Sequence, residues 1–167
     1  SIINENNYKA YIALDGTIFN LYYSNSWHIS TAKGCLMDNK TLFGKTPLLQ
    51  LIKNILIEKG SKLSIELNEN TILDNFDRNL CYTFRLSSEE WNLGIEDNYK
   101  DIVFINAKNL TTFENYSDVN ILPSPLNKII KFEECIPLQQ AIQLYKQSRN
   151  INQFKRGFTQ YIPNFAG

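Results

Sequence analysis

Three short aromatic and β-branched stretches crowd the start of the chain, and the punctuation between them limits how it can fold. Residues 8–14 and 17–23 flank Asp15-Gly16, a short turn pair. Ser24-Asn25-Ser26 then leads into Trp27-His28-Ile29-Ser30-Thr31, where Trp27, Ile29 and Thr31 alternate with polar residues. Side chains two apart on a strand share a face, so the pattern predicts a three-stranded antiparallel meander whose apolar face must be covered. A helix signal follows. Thr46 precedes Pro47, a capping residue before a proline at the first helical position, and Leu48, Leu51, Ile52 and Ile55 recur at helical spacing, which predicts a helix closed by Gly60.

Further along, Ile65, Ile72, Leu73 and Phe76 predict a weaker helix over residues 65–76, interrupted by Asn. Residues 81–86 and 102–107 are apolar or alternating, separated by polar residues that include Asn92, Gly94 and Asp97, and both predict core strands. Pro123 and Pro125 break the chain after residues 119–122. Leu138, Ala141, Ile142 and Tyr145 share a helical face after Pro137, and residues 157–162 predict a last strand. With no disordered linker and no internal repeat, residues 1–167 read as one α+β domain, a mostly antiparallel sheet with flanking helices.

The 167 residues suffice for a core without a metal or disulfide to hold it. Seventeen basic and 17 acidic side chains balance, which argues against a strongly electrostatic nucleic-acid binder or a membrane-surface peptide and leaves room only for a local basic groove. The apolar runs Leu48-Leu49 and Ile55-Leu56-Ile57 are interrupted by Gln50, Lys53 and Glu58, far short of a membrane span, so no membrane partner is expected. No signal segment opens the chain, and Cys35, Cys81 and Cys135 are irregularly spaced, as expected of reduced thiols in an intracellular setting. Asn is abundant but scattered, which excludes a prion-like tract and fits an AT-rich source.

The familiar chemical signatures are missing: no phosphate-binding Gly-rich loop, no dinucleotide fingerprint, no paired-Cys zinc spacing and no His-Glu metalloprotease helix. His28, the single histidine, lies on the strand face opposite Trp27 and Ile29 and is expected as a sheet-surface residue without a triad partner.

The order of segments resembles the covalent nucleotidyltransferases, the group of RNA ligases, DNA ligases and capping enzymes. Ala13-Leu14-Asp15-Gly16-Thr17 is similar to their first motif, Lys-x-Asp/Glu-Gly, with Ala13 at the lysine position. Thr31-Ala32-Lys33-Gly34 resembles the Thr-Lys/Arg-Gly-Ser turn that RNA ligases place after it. Residues 81–86, followed by 102–109, resemble the third motif and its next strand, with Arg85 at the usual Glu position. Arg156-Gly157-Phe158-Thr159 resembles the fourth motif, with Arg156 again in place of Glu. The resemblance spans residues 8–162 in consistent order, although each motif is short and degenerate.

In the family an unprotonated Lys attacks the α-phosphate of ATP or GTP, and motif acids hold ribose and divalent metal. Ala13 cannot attack, and Arg85 and Arg156 would repel the metal. The resemblance therefore implies a degenerate domain with no cofactor, kept for a structural or binding role among other protein subunits, either cytoplasmic or in a virion. On this reading Asp15, Lys33, Arg85, Lys108 and Arg156, with Lys155, line the old nucleotide cleft and hold RNA, a nucleotide or an acidic protein surface through charge-assisted hydrogen bonds. A second reading keeps ATP and Mg and uses a displaced nucleophile, Lys9 or Lys33; a third takes the chain as an unrelated α+β adaptor. The aromatic residues Phe154, Phe158, Tyr161 and Phe165 are the segment suspected of docking in an assembly.

Overall fold

The computed structural model describes residues 9–11, 16–93, 95, 98–132 and 135–147, which fall into two compact units, Gly16–Phe132 and Ser1–Asp15 with Glu133–Gly167. The larger unit is α+β. It holds strands β2 (Thr17–Ser24), β3 (Ser26–Thr31), β4 (Leu80–Ser88), β5 (Lys100–Asn109), β6 (Asn115–Tyr116) and β7 (Lys131–Phe132), with helices α1 (Leu48–Lys62) and α2 (Leu126–Ile129). In the smaller unit β1 (Lys9–Tyr11) pairs antiparallel with β8 (Cys135–Pro137), and α3 (Leu138–Gln147) follows at the place where helical periodicity predicts a helix.

The sheet of the larger unit runs β3-β2-β4-β5, after which the outer edge of β5 is shared. β6 pairs with one end of it antiparallel, and β7 with the other end in parallel, so the sheet is mixed, not purely antiparallel. The predicted meander is corrected in one respect. The β2–β3 hairpin forms as expected, turning at Asn25 with φ 61°, a backbone region that Asn tolerates better than most residues. The two segments expected as a hairpin around Asp15-Gly16 find other partners, however: the second edge of β2 is taken by β4 from Thr17↔Leu86 to Leu21↔Tyr82, and β1 pairs with β8, while Asp15 itself lies outside the described residues.

One face of this sheet is the core. Phe19, Tyr82, Phe84 and Phe104 are each 2% exposed or less, and their rings form a chain across the strands, Phe19–Phe84 at 5.3 Å, Tyr82–Phe84 at 6.4 Å and Phe84–Phe104 at 5.8 Å between centroids. A β-bulge makes this possible. The register slips between Thr83↔Asn106 and Phe84↔Phe104, so Phe104 and Ala107, three residues apart, both point into the core. Helix α1 covers this face with Leu48, Leu51, Ile52, Ile55 and Leu56, all buried, each worth roughly 2 kcal/mol of removed apolar surface.

Helix α1 begins and ends differently from the expectation. Thr46 makes no side-chain cap; the cap position is Pro47, and the Thr46 amide donates to Glu90 Oε1 at 3.4 Å. Gly60 lies inside the helix and not after it. It is buried because the chain folds back there: a Cβ would meet the Ile65 carbonyl oxygen at 2.7 Å, an oxygen of the returning backbone. The predicted weaker helix over residues 65–76 is a run of turns instead, set off by Ser64 at φ 58° and by Asn68, whose side chain accepts from the Asn70 amide. Its apolar residues still reach the core, Ile72, Leu73 and Phe76 being buried. The predicted strand at 157–162 lies outside the described residues.

Candidate functional site

The contact between Gly16 and Arg85 comes directly from the β2–β4 pairing. Ile18 pairs with Arg85 and Thr17 with Leu86, so Gly16 meets the side of Arg85: a Cβ at Gly16 would lie 2.7 Å from Arg85 Cγ and 2.7 Å from the Leu86 carbonyl oxygen. Glycine is required here by close approach. Arg85, on the central strand, is 5% exposed, and Val103 opposite it on β5 is 8% exposed.

Alternation carries Arg85 to the face opposite the aromatic core, and that face is polar. Asn20 Nδ2 donates to Ser30 Oγ at 3.3 Å, and Thr83 Oγ1 donates to Asn20 Oδ1 at 2.8 Å, a ladder across β3, β2 and β4 that Asn106 of β5 extends in register. The next row holds His28, Tyr22, Cys81 and Lys108. Cys81 is half-buried, and burial pushes its thiol up, against the smaller opposing pull of the Lys108 ammonium.

Among the residues expected to bind, Arg85 and Lys108 share this face. Lys108 stands opposite Cys81, four residues along β4 from Arg85, or about 13 Å at the ordinary strand rise. The Lys108 ammonium is exposed and lies 5.6 Å from the Phe113 ring, itself 67% exposed and held at φ 61°. Lys33 is exposed in the turn after β3, which Thr31 and Gly34 close by a mutual backbone bridge at 2.9 and 3.2 Å. Ala13, Asp15, Lys155, Arg156 and the aromatic residues Phe154, Phe158, Tyr161 and Phe165 lie outside the described residues; Lys9 belongs to β1 of the smaller unit. Among the described residues, no three His, Cys, Asp or Glu side chains converge as a metal-holding group, and no helix is long and apolar enough to cross a membrane.

His28 corrects the expectation that it stands without partners. It does lie opposite Ile29, but Nδ1 is 2.7 Å from Asp38 Oδ2, and Nε2 is 3.1 Å from both Ser26 Oγ and the Ser24 carbonyl oxygen. Asp38 is ten residues away, returned to the strand by the Met37 amide donating to the Ile29 carbonyl, and its second oxygen accepts from the Ile29 amide at 2.5 Å. Nothing local in the sequence marks this pair. Only Ser26, two residues before His28 and hence on its strand face, was open to the pattern.

The hydrogen bond to Asp38 raises the His28 pKa above its ordinary 6.5, with burial opposing it and the Asp38 charge and Ser24 carbonyl adding to it. A folded pKa above the unfolded one stabilises the fold fully below the unfolded pKa of about 6.5, and the gain is lost as pH rises through the raised value. The other titratable ring against His28, Tyr22 at 5.7 Å, has its own pKa raised above 10, chiefly by burial, and is neutral across that window. Urea midpoints measured from pH 5.5 to 8.5 are therefore expected to fall with rising pH in the native chain, with that component absent in Asp38→Asn.

A scan against protein-family models and a search of curated proteins return no match to this chain.

Proposed function

We propose that the chain is a catalytically degenerate RNA-ligase-like nucleotidyltransferase domain, kept for a binding or structural role in a larger assembly, viral or cytoplasmic. The contact of Gly16 with Arg85 supports this reading most: the β2–β4 pairing puts the last two residues of the segment resembling the first motif beside the strand resembling the third. The same contact weighs against a magnesium nucleotide, because the position that should present a carboxylate to the metal presents a guanidinium. Lys33 and Lys108, both exposed, suit an anionic partner instead, such as a nucleic-acid backbone or an acidic protein surface, while Arg85 is buried.

The test is covalent labelling. Incubated with α-labelled ATP or GTP and magnesium or manganese, the folded chain is expected to give no labelled band on denaturing electrophoresis. A band lost in Lys9→Ala or Lys33→Ala would overturn the degenerate reading and identify a displaced nucleophile. A parallel titration with a fluorescent single-stranded oligoribonucleotide separates the binding role from an unrelated adaptor: weakening of several-fold in Lys33→Glu and Lys108→Glu supports the former, and no binding supports the latter.

A further inference from the structure

The β2–β3 hairpin carries a second arrangement, independent of the nucleotidyltransferase reading. Ser26 Oγ, His28 Nε2, His28 Nδ1 and Asp38 Oδ2 stand in series at 3.1 and 2.7 Å, and the far oxygen of Asp38 is fixed by the Ile29 amide. We propose that Ser26, His28 and Asp38 act as nucleophile, general base and positioning residue in the transfer of an acyl group from an activated ester to water.

Each part has a physical reason. A carboxylate at Asp38 only accepts, so it holds a proton on Nδ1; the Ser24 carbonyl, 3.1 Å from Nε2, favours the imidazolium, and once Nε2 loses its proton it can accept from the Ser26 hydroxyl at the same distance. Ser26 is exposed at the end of a tight turn, beside Asn25 in its left-handed conformation, where a small ester can reach it. The Tyr22 ring lies against the imidazole, and its hydroxyl is committed to the Cys35 carbonyl at 2.7 Å, so it does not compete for Nε2. In the first step Ser26 Oγ attacks the ester carbonyl as its proton passes to Nε2, where the Ser24 carbonyl is placed to accept from the imidazolium. The C–O bond to the leaving group breaks, and the imidazolium returns the proton to it or to solvent. Water, deprotonated by Nε2, then attacks acyl-Ser26 and releases the carboxylic acid, restoring the serine.

The probe is p-nitrophenyl acetate, followed by release of p-nitrophenolate and by peptide mass, in a background carrying Cys35→Ser, Cys81→Ser and Cys135→Ser so that thiol acylation cannot contribute. Release is expected to rise with pH as His28 loses its proton, and acetyl mass should appear on the Ser26 peptide. Ser26→Ala and His28→Gln should lower the rate by about 100-fold, the usual scale of general-base assistance. Asp38→Asn should lower it by about tenfold and move the midpoint of the pH profile downward, a shift that mere loss of packing would not produce. Labelling of the unmutated serine by a fluorophosphonate, with loss of fluoride, checks the nucleophile without any active-site variant. An unchanged rate in folded Ser26→Ala, or acyl and phosphonyl mass absent from the Ser26 peptide, overturns the proposal.

Discussion

Phe84→Ala is expected to destabilise the larger unit by about 4 kcal/mol, in the range found when a large buried aromatic is cut back to a methyl. Phe84 is 2% exposed and touches three other rings, Phe19, Tyr82 and Phe104, on the strand that joins the two halves of the sheet. Truncation removes apolar burial and also leaves a gap at the β-bulge, where the register that pairs Phe84 with Phe104 cannot slide without turning β5 over. Urea denaturation followed by the fluorescence of Trp27 and Trp91 is the measurement, with a large fall in midpoint and little change in slope expected. Ile18→Ala, on the other face of the same sheet and 47% exposed, is the control, and should stay within about 0.5 kcal/mol. Equal effects from the two would mean that the aromatic chain is not the centre of the core.

The second large effect concerns Lys59 and Asp101, an ion pair between α1 and β5 with side chains 17% and 15% exposed. Asp101 also accepts from the Tyr99 hydroxyl at 3.3 Å and from the Ile102 amide at 2.9 Å, so its carboxylate is held by two donors besides the lysine. Lys59→Met strands a largely buried carboxylate, and about 3 kcal/mol of stability should be lost. The double variant Lys59→Met with Asp101→Leu should recover most of that loss, because the pair's attraction is largely offset by the desolvation of its two charges. A double-mutant cycle reads this directly: a coupling near zero would mean that solvent screens the pair as it does surface ion pairs, which contribute at most about 1 kcal/mol.

The sequence was most legible where a single period ran uninterrupted. The spacing of Leu48, Leu51, Ile52 and Ile55 names the buried face of α1, and the alternation through Trp27, Ile29 and Thr31 names the strand and its polar side. Apart from the β2–β3 hairpin, pairing partners were not legible. Asp15-Gly16 has the chemistry of a hairpin turn, but turn chemistry is local and does not reveal the long register by which β4 takes the second edge of β2. Gly60 carries the same lesson. A glycine after an apolar periodic run reads as a stop, whereas its missing Cβ is needed for the returning backbone at Ile65. In the candidate site, the contact of Gly16 with Arg85 follows from the long-range β2–β4 register, and the partnership of His28 with Asp38 depends on a loop whose return no periodicity encodes.

The strand order has one more consequence, for the chain while it is being made. Asn20 and Thr83, bonded across β2 and β4, are 63 residues apart, and closing a loop of that size costs roughly 4 kcal/mol of chain entropy beyond a constant. Local hairpins form in microseconds, but this pairing waits on a distant strand. A nascent chain that has released β2 and β3 without β4 therefore carries Phe19 and Leu21 on a strand with one open edge, ready to pair with any other extended segment. The aggregation hazard of this protein belongs to the interval of synthesis between Thr31 and Ser88, and a ribosome that stalls there should yield insoluble fragments.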